Sequence, residues 1–278
     1  MILRNRNRKR WLNGGLSALT VLLAFLIFFP ILWMVLTSFK TEVDAFAYPP
    51  TFFFTPTLEN WTNALQNSPY VEHLINTLII TVLSTLAAIL LGFPAAYSLA
   101  FYPGPRAAGT LSWMMGTRML PPVGVIVPLY AIFRNLRIFD THFGLILIYT
   151  AINLPLVIWM LRSFMLDLPY ETMEAARMDG ATLLQELRLV VLPLALPGLV
   201  ATVLLCFIFT WNEFFLAFNL TVTRAAPLSV YISSFKTSEG LFWAKMSAAA
   251  TLTVAPVIIA GWAAQQQLVR GLTAGAIK

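Results

Sequence analysis

The chain has 278 residues, 59% of them hydrophobic and only 11% charged, with a mean hydropathy of +0.77. Soluble domains carry about a quarter charged residues, so this composition excludes an ordinary water-soluble protein and indicates a polytopic membrane chain. The net charge of +6 does not indicate a nucleic-acid binder, because the 18 Lys and Arg sit in an N-terminal tail and at loop ends rather than on one aromatic-interleaved face.

Residues 1–13 form a basic tail with Arg4, Arg6, Arg8, Lys9 and Arg10, followed by an apolar run from Leu16 to Leu36. That run is too long for a secretory signal and no small-residue cleavage site follows it, so it reads as an uncleaved first span. At about 20 apolar residues per crossing, six helical spans are predicted: 14–37, 72–101, 109–133, 143–164, 191–218 and 242–266. Residues 14–278 are thus expected to form one all-α, six-span domain. With the N-terminus inside, eleven of the 18 basic residues fall on the cytoplasmic side, six fall outside, and Arg118 lies within a span. This bias predicts that both termini and a polar hinge at 165–190 are cytoplasmic.

Two external segments are long enough to fold. Residues 38–70 carry Pro49, Pro50 and Pro56 with Phe52, Phe53, Phe54 and Trp61, suiting a folded cap or an interfacial anchor. Residues 219–241 are polar, with Arg224, Lys236 and Glu239. Prolines recur inside the spans at Pro30, Pro94, Pro121, Pro122, Pro128, Pro155 and Pro256, where each kinks its helix and frees a carbonyl that needs a partner in lipid.

The hinge is the one polar region built to be touched. Leu168-Pro169 opens a helix carrying Glu174, Ala175, Ala176 and Arg177; Asp179-Gly180 closes it, and Ala181 to Leu192 restarts before Pro193. Two alanines beside one carboxylate make a knob that another protein can approach closely.

Glu174-Ala175-Ala176, Gly180 and Val190 to Pro193 resemble the cytoplasmic signature of permease subunits of ATP-binding-cassette importers. Asp179-Gly180-Ala181 and Pro197-Gly198 resemble its carbohydrate branch, which takes up maltose, polyols and glycerol phosphate; Leu187 stands where that branch often has phenylalanine. Arg118-Met119-Leu120-Pro121-Pro122, Ile138 to Thr141 and Trp211 to Phe214 add less specific matches. The resemblance implies a type I importer permease of the bacterial inner membrane that moves a sugar, polyol or related glycoside inward. The implied partners are a second homologous permease, two ATP-binding-cassette ATPase subunits and an external substrate-binding protein. The implied coupling helix comprises Glu174, Ala175, Ala176, Asp179, Gly180 and Ala181, while ATP and Mg are bound by the ATPase subunits and no cofactor by this chain.

None of the 14 glycines is followed by lysine, so the chain has no phosphate-loop ATPase site of its own and is not expected to be an enzyme. His73 and His142, the only histidines, lack metal-ligand spacing and suit structural roles, and Cys206 suits a small core position. Arg118 and Glu213 are the ionisable residues expected inside the membrane, Arg118 a third to half way along the third span and Glu213 in the outer half of the fifth. They could clamp each other, snorkel to water at a cavity rim, or face the substrate beside Trp211 and Asn212. A rival reading, an ion- or proton-coupled secondary transporter using Arg118 and Glu213, explains these charges but leaves the hinge unused.

Overall fold

The computed structural model describes residues 2–237 and 240–274, with side chains over 16–235 and 242–265. Glu239 and Lys278 lie outside the described residues, as do the side chains of Arg4, Arg6, Arg8, Lys9, Arg10, Lys236 and Arg270. The regular structure of the described chain is helical apart from a two-residue antiparallel ladder in which Lys236 pairs with Leu241 and Thr237 with Gly240. Among the described residues four helices are long and apolar enough to cross a membrane singly, and up to six crossings result if each of two bent helix pairs counts as one span.

The residues fall into two compact units. The first combines 1–69 with 235–252. Its helix α1 (Ile2–Ser38) contains the expected first span, and the helical backbone extends back through the basic tail. Two short helices follow, α2 (Glu42–Phe46) and α3 (Glu59–Gln66), and they tie up chain ends that would otherwise leave polar backbone unpaired. The Asn60 amide donates to the carbonyls of Ser38 (3.1 Å) and Lys40 (2.7 Å), capping the end of α1. The Glu42 carboxylate accepts the N–H groups of Ala244 and Lys245, both at 3.0 Å, and so caps α14 (Trp243–Ala274) with a negative charge at the positive end of the helix dipole.

The second unit combines 70–234 with 253–278. Its centre is the pairing of α4 (Tyr70–Phe101) with α7 (His142–Leu166), against which α11 (Leu196–Trp211) packs. Small residues allow the close approach: a Cβ on Gly92 would stand 2.6 Å from Val157 Cγ1. Ala88, Ala96, Val157, Leu161, Met165, Met173, Val191 and Cys206 fill one buried cluster. Ile80, Phe133, Leu145, Tyr149, Leu216 and Leu220 fill the other. Cys206 is fully buried, as a small core residue should be.

Two predicted spans differ from continuous helices. The third, expected over 109–133, is split into α5 (Ala107–Arg118) and α6 (Pro122–Asn135), bent by 88°. Pro121 and Pro122 cause the break, since they donate no hydrogen bond and push the preceding residue out of helical conformation. The fifth, expected over 191–218, begins earlier, at Leu183. It runs through α9 (Leu183–Gln185), a π-helical stretch Glu186–Val191 and α10 (Leu192–Leu194), then bends by 80° into α11 around Pro197. It ends at Trp211, and α12 (Phe215–Leu220) starts afresh. Arg118 is therefore the last residue of a half-helix, still a third to half way along the bent pair, and Glu213 occupies a break between helices.

Candidate functional site

Helix α8 (Tyr170–Met178) carries the predicted hinge residues. Its end is a Schellman turn: the Ala181 N–H donates to Ala176 O and the Gly180 N–H to Arg177 O, both at 3.0 Å, with Gly180 at φ +82°. Thr182 then restarts the helix through a capping box with Gln185. Glu174, Ala175, Asp179 and Gly180 are exposed, and Ala176 and Ala181 half-buried. One apolar residue, Met173, is fully buried and pins this knob to the core beneath.

A group that sequence reasoning did not single out fixes the knob. Glu186 is only 2% exposed, and its carboxylate accepts Arg177 Nε (2.9 Å), Arg177 Nη2 (2.8 Å) and the hydroxyl of Tyr97 on α4 (2.7 Å). The Arg177 guanidinium also lies over the rings of Tyr102 and Tyr170, 5.2 and 5.7 Å from their centroids. A carboxylate this buried is tolerated only when paired and hydrogen-bonded, and here both conditions are met. The available signal was the charge pair nine residues apart across a turn, but a turn's geometry cannot be read from spacing.

A cavity of about 530 Å³ opens at the break between α5 and α6, lined by Arg118, Tyr149, Asn153, Phe209, Thr210 and Glu213 among others. Arg118 donates to the carbonyl of Ile152 at 3.1 Å, approaches Asn153 Oδ1 at 3.5 Å and stacks 5.0 Å from the centroid of Phe209. Pro155 removes the donor that would face the Ala151 carbonyl, and the neighbouring carbonyl is the one that receives Arg118. Glu213 takes the Tyr149 hydroxyl at 2.6 Å and the N–H groups of Leu216 and Ala217 at 2.9 and 3.1 Å, starting α12. The two charges thus share a cavity without forming an ion pair with each other, unlike Arg177 and Glu186. Trp211 and Asn212 do not line the cavity. Trp211 is buried and stacked on Phe207, and Asn212 is exposed with its amide donating to Ile208 O.

Beyond the far end of α7 the chain is clipped shut. Asp140, at φ +53°, accepts four backbone N–H groups from Val222, Thr223, Arg224 and Ala225 at 3.0–3.3 Å. Burial alone would raise its pKa, but these four donors outweigh that and hold it below the ordinary carboxylate value. Both histidines serve the same segment: His73 Nδ1 donates to Ala226 O, and His142 Nε2 donates to the Asn76 carbonyl, whose amide holds Arg224 O and Ala226 O. Among the described residues no group of His, Cys, Asp and Glu could hold a metal.

The chain is similar to known transport proteins over most of its length. The trehalose transport system permease protein SugB of Mycobacterium tuberculosis is 36% identical over 255 residues, covering 90% of this chain and 92% of that protein. The sulfoquinovosyl glycerol transport system permease protein SmoH of Agrobacterium fabrum is 36% identical over 252 residues, covering 90% and 88%. In fold, the chain matches one chain of a crystal structure of a bacterial ABC transporter that imports the acidic polysaccharide alginate, with a TM-score of 0.75 at 23% identity over 93% of this chain and 96% of that one. An exposed knob stapled to a helical membrane bundle agrees with what residues 88–273 match, the binding-protein-dependent transport system inner membrane component, and the chain belongs to that family of ABC importer permeases.

Proposed function

We propose that the chain imports a sugar, polyol or related glycoside as one of two homologous permeases, driven by two ATPase subunits that bind ATP and Mg and supplied by an external substrate-binding protein. The observation that carries the mechanism is the Arg177–Glu186–Tyr97 tie beneath the exposed Glu174-Ala175-Ala176 knob. It makes the knob continuous with α4 and with the helices leading to α11, so a displacement applied to the knob is passed to the membrane helices as rigid-body motion. On this reading both termini and the 165–190 hinge face the cytoplasm, residues 1–13 are a basic tail on the single domain 14–278, and Glu174 meets a basic group of the ATPase.

The substrate reading rests on the carbohydrate cargo of SugB and SmoH and on the cavity chemistry, in which a guanidinium and amide, hydroxyl and aromatic groups converge as hydroxyl-rich ligands require. Arg118 and Glu213 reach the cavity directly, and Trp211 and Asn212 lie in the chain between its lining residues Thr210 and Glu213. A charge relay through Arg118 and Glu213 has less support, because backbone and tyrosine donors already occupy the Glu213 carboxylate.

Reconstitution of the full complex in proteoliposomes tests the proposal. ATP-dependent uptake of a di- or oligosaccharide should require the binding protein and fall in the Glu174→Lys variant while membrane insertion persists. Uptake driven by an ion gradient without ATP would overturn it.

A further inference from the structure

Residues 47–58 contain no charged side chain, and their four aromatic residues divide into two sets. Phe52 and Phe54 make ring contacts within their own unit: the Phe52 ring, itself 66% exposed, meets Trp33 of α1 at 5.2 Å between centroids, and the half-buried Phe54 ring lies 5.2 Å from Lys40 Nζ. Phe53 and Tyr48 have no ring contact among the described residues and are 99% and 96% exposed.

We propose that this segment is an aromatic anchor seated in the lipid headgroup interface, where it continues the lipid-facing surface of α1. Three observations support a lipid partner. The first is depth: Trp33 lies five residues before the end of α1, so at 1.5 Å per residue the contact with Phe52 draws the segment roughly 7 Å back along the span instead of letting it project into water. The second is the state of its backbone. Pro49, Pro50 and Pro56 have no N–H to satisfy, Thr51 O accepts Lys40 Nζ at 2.7 Å, the Thr51 hydroxyl donates to Asp44 O, and the Thr57 N–H donates to Phe39 O. Polar groups turned inward lower the cost of leaving bulk water. The third is chemistry: tyrosine and neighbouring phenylalanines without charge suit the boundary between headgroups and acyl chains, where aromatic belts form. A protein partner would find no charge here to complement.

The test uses the complete transporter in nanodiscs of phosphatidylethanolamine and phosphatidylglycerol doped with headgroup-nitroxide lipid. An environment-sensitive fluorophore is attached at Phe53→Cys or Tyr48→Cys, with Cys206 replaced by Ser and with Gln66→Cys, exposed at the end of α3, as the reference position. The anchor predicts that nitroxide lipid quenches both segment labels at least threefold more than the reference, while aqueous iodide quenches them at least threefold less. Iodide-accessible, lipid-insensitive labels would overturn it. Protection that appears only on adding the substrate-binding protein would also overturn it, by assigning the segment to that partner.

Discussion

Arg177 and Glu186 are joined by two hydrogen bonds of 2.9 and 2.8 Å, from Nε to Oε2 and from Nη2 to Oε1, and these bonds straddle the only left-handed glycine among the described residues. The pair sets the angle between α8 and the helix that follows.

Removing the arginine should therefore cost more than removing the pair. Arg177→Ala leaves Glu186 buried with only Tyr97, a loss of about 3 kcal/mol, the low end for an orphaned buried charge. Arg177→Met with Glu186→Met should recover much of that stability, yet not coupling, because packing replaces the charge without restoring the fork geometry. Thermal unfolding of the purified complex and substrate-stimulated ATPase activity separate the two effects. Equal stability of the single and double variants would contradict the role of the pair.

Gly180 has open space around its Cα, so only its φ of +82° resists a side chain. Gly180→Ala should cost about 1–2 kcal/mol through left-handed strain, and Gly180→Asn less. The expected readout is weaker co-purification of the ATPase subunits with Ala than with Asn, at unchanged membrane insertion.

Asp140 links stability to pH. Its folded pKa lies below the unfolded value of about 3.9, so the unfolded state binds its proton first as pH falls. The contribution is complete above that value and is lost on acidification through the folded pKa. Between pH 6 and 3 the unfolding midpoint of the detergent-solubilised protein should drop more steeply for wild type than for Asp140→Asn, with the two curves apart near pH 6 and converging at the acid end. Parallel curves would show that the four backbone donors do not hold the carboxylate.

Arg118 and Glu213 have separate partners, so neutralising both should be additive in stability to within about 0.5 kcal/mol. Rescue of Arg118→Ala by a second substitution at Glu213 would reveal an ion pair instead. In uptake assays Arg118→Ala should raise the half-saturating substrate concentration about tenfold, or ~1.4 kcal/mol. Asn212→Ala should have a smaller effect, since its amide lies off the cavity.

The membrane class, the number of crossings and the hinge were legible in the sequence because they depend on local properties: apolar run length, proline and glycine punctuation, and a motif within one stretch of chain. The hinge turn ended at Gly180 as the residues dictate, and the outer bounds of the uninterrupted spans held to within a few residues apart from extensions at the two chain ends. The breaks at Pro121-Pro122 and near Pro197 were signalled by the prolines. Their angles of 88° and 80° were not, since a proline in a helix can kink or sever it depending on what packs alongside. Only the tertiary structure decided where the charges went. Glu186 lay unremarked in the sequence, yet α4 brings Tyr97 to it from 89 positions away; Arg118 and Glu213 share a cavity but turn to the Ile152 carbonyl and to the start of α12. Each of these pairings is a contact between distant segments, and burial leaves a charge no stable alternative to the partner that the fold supplies.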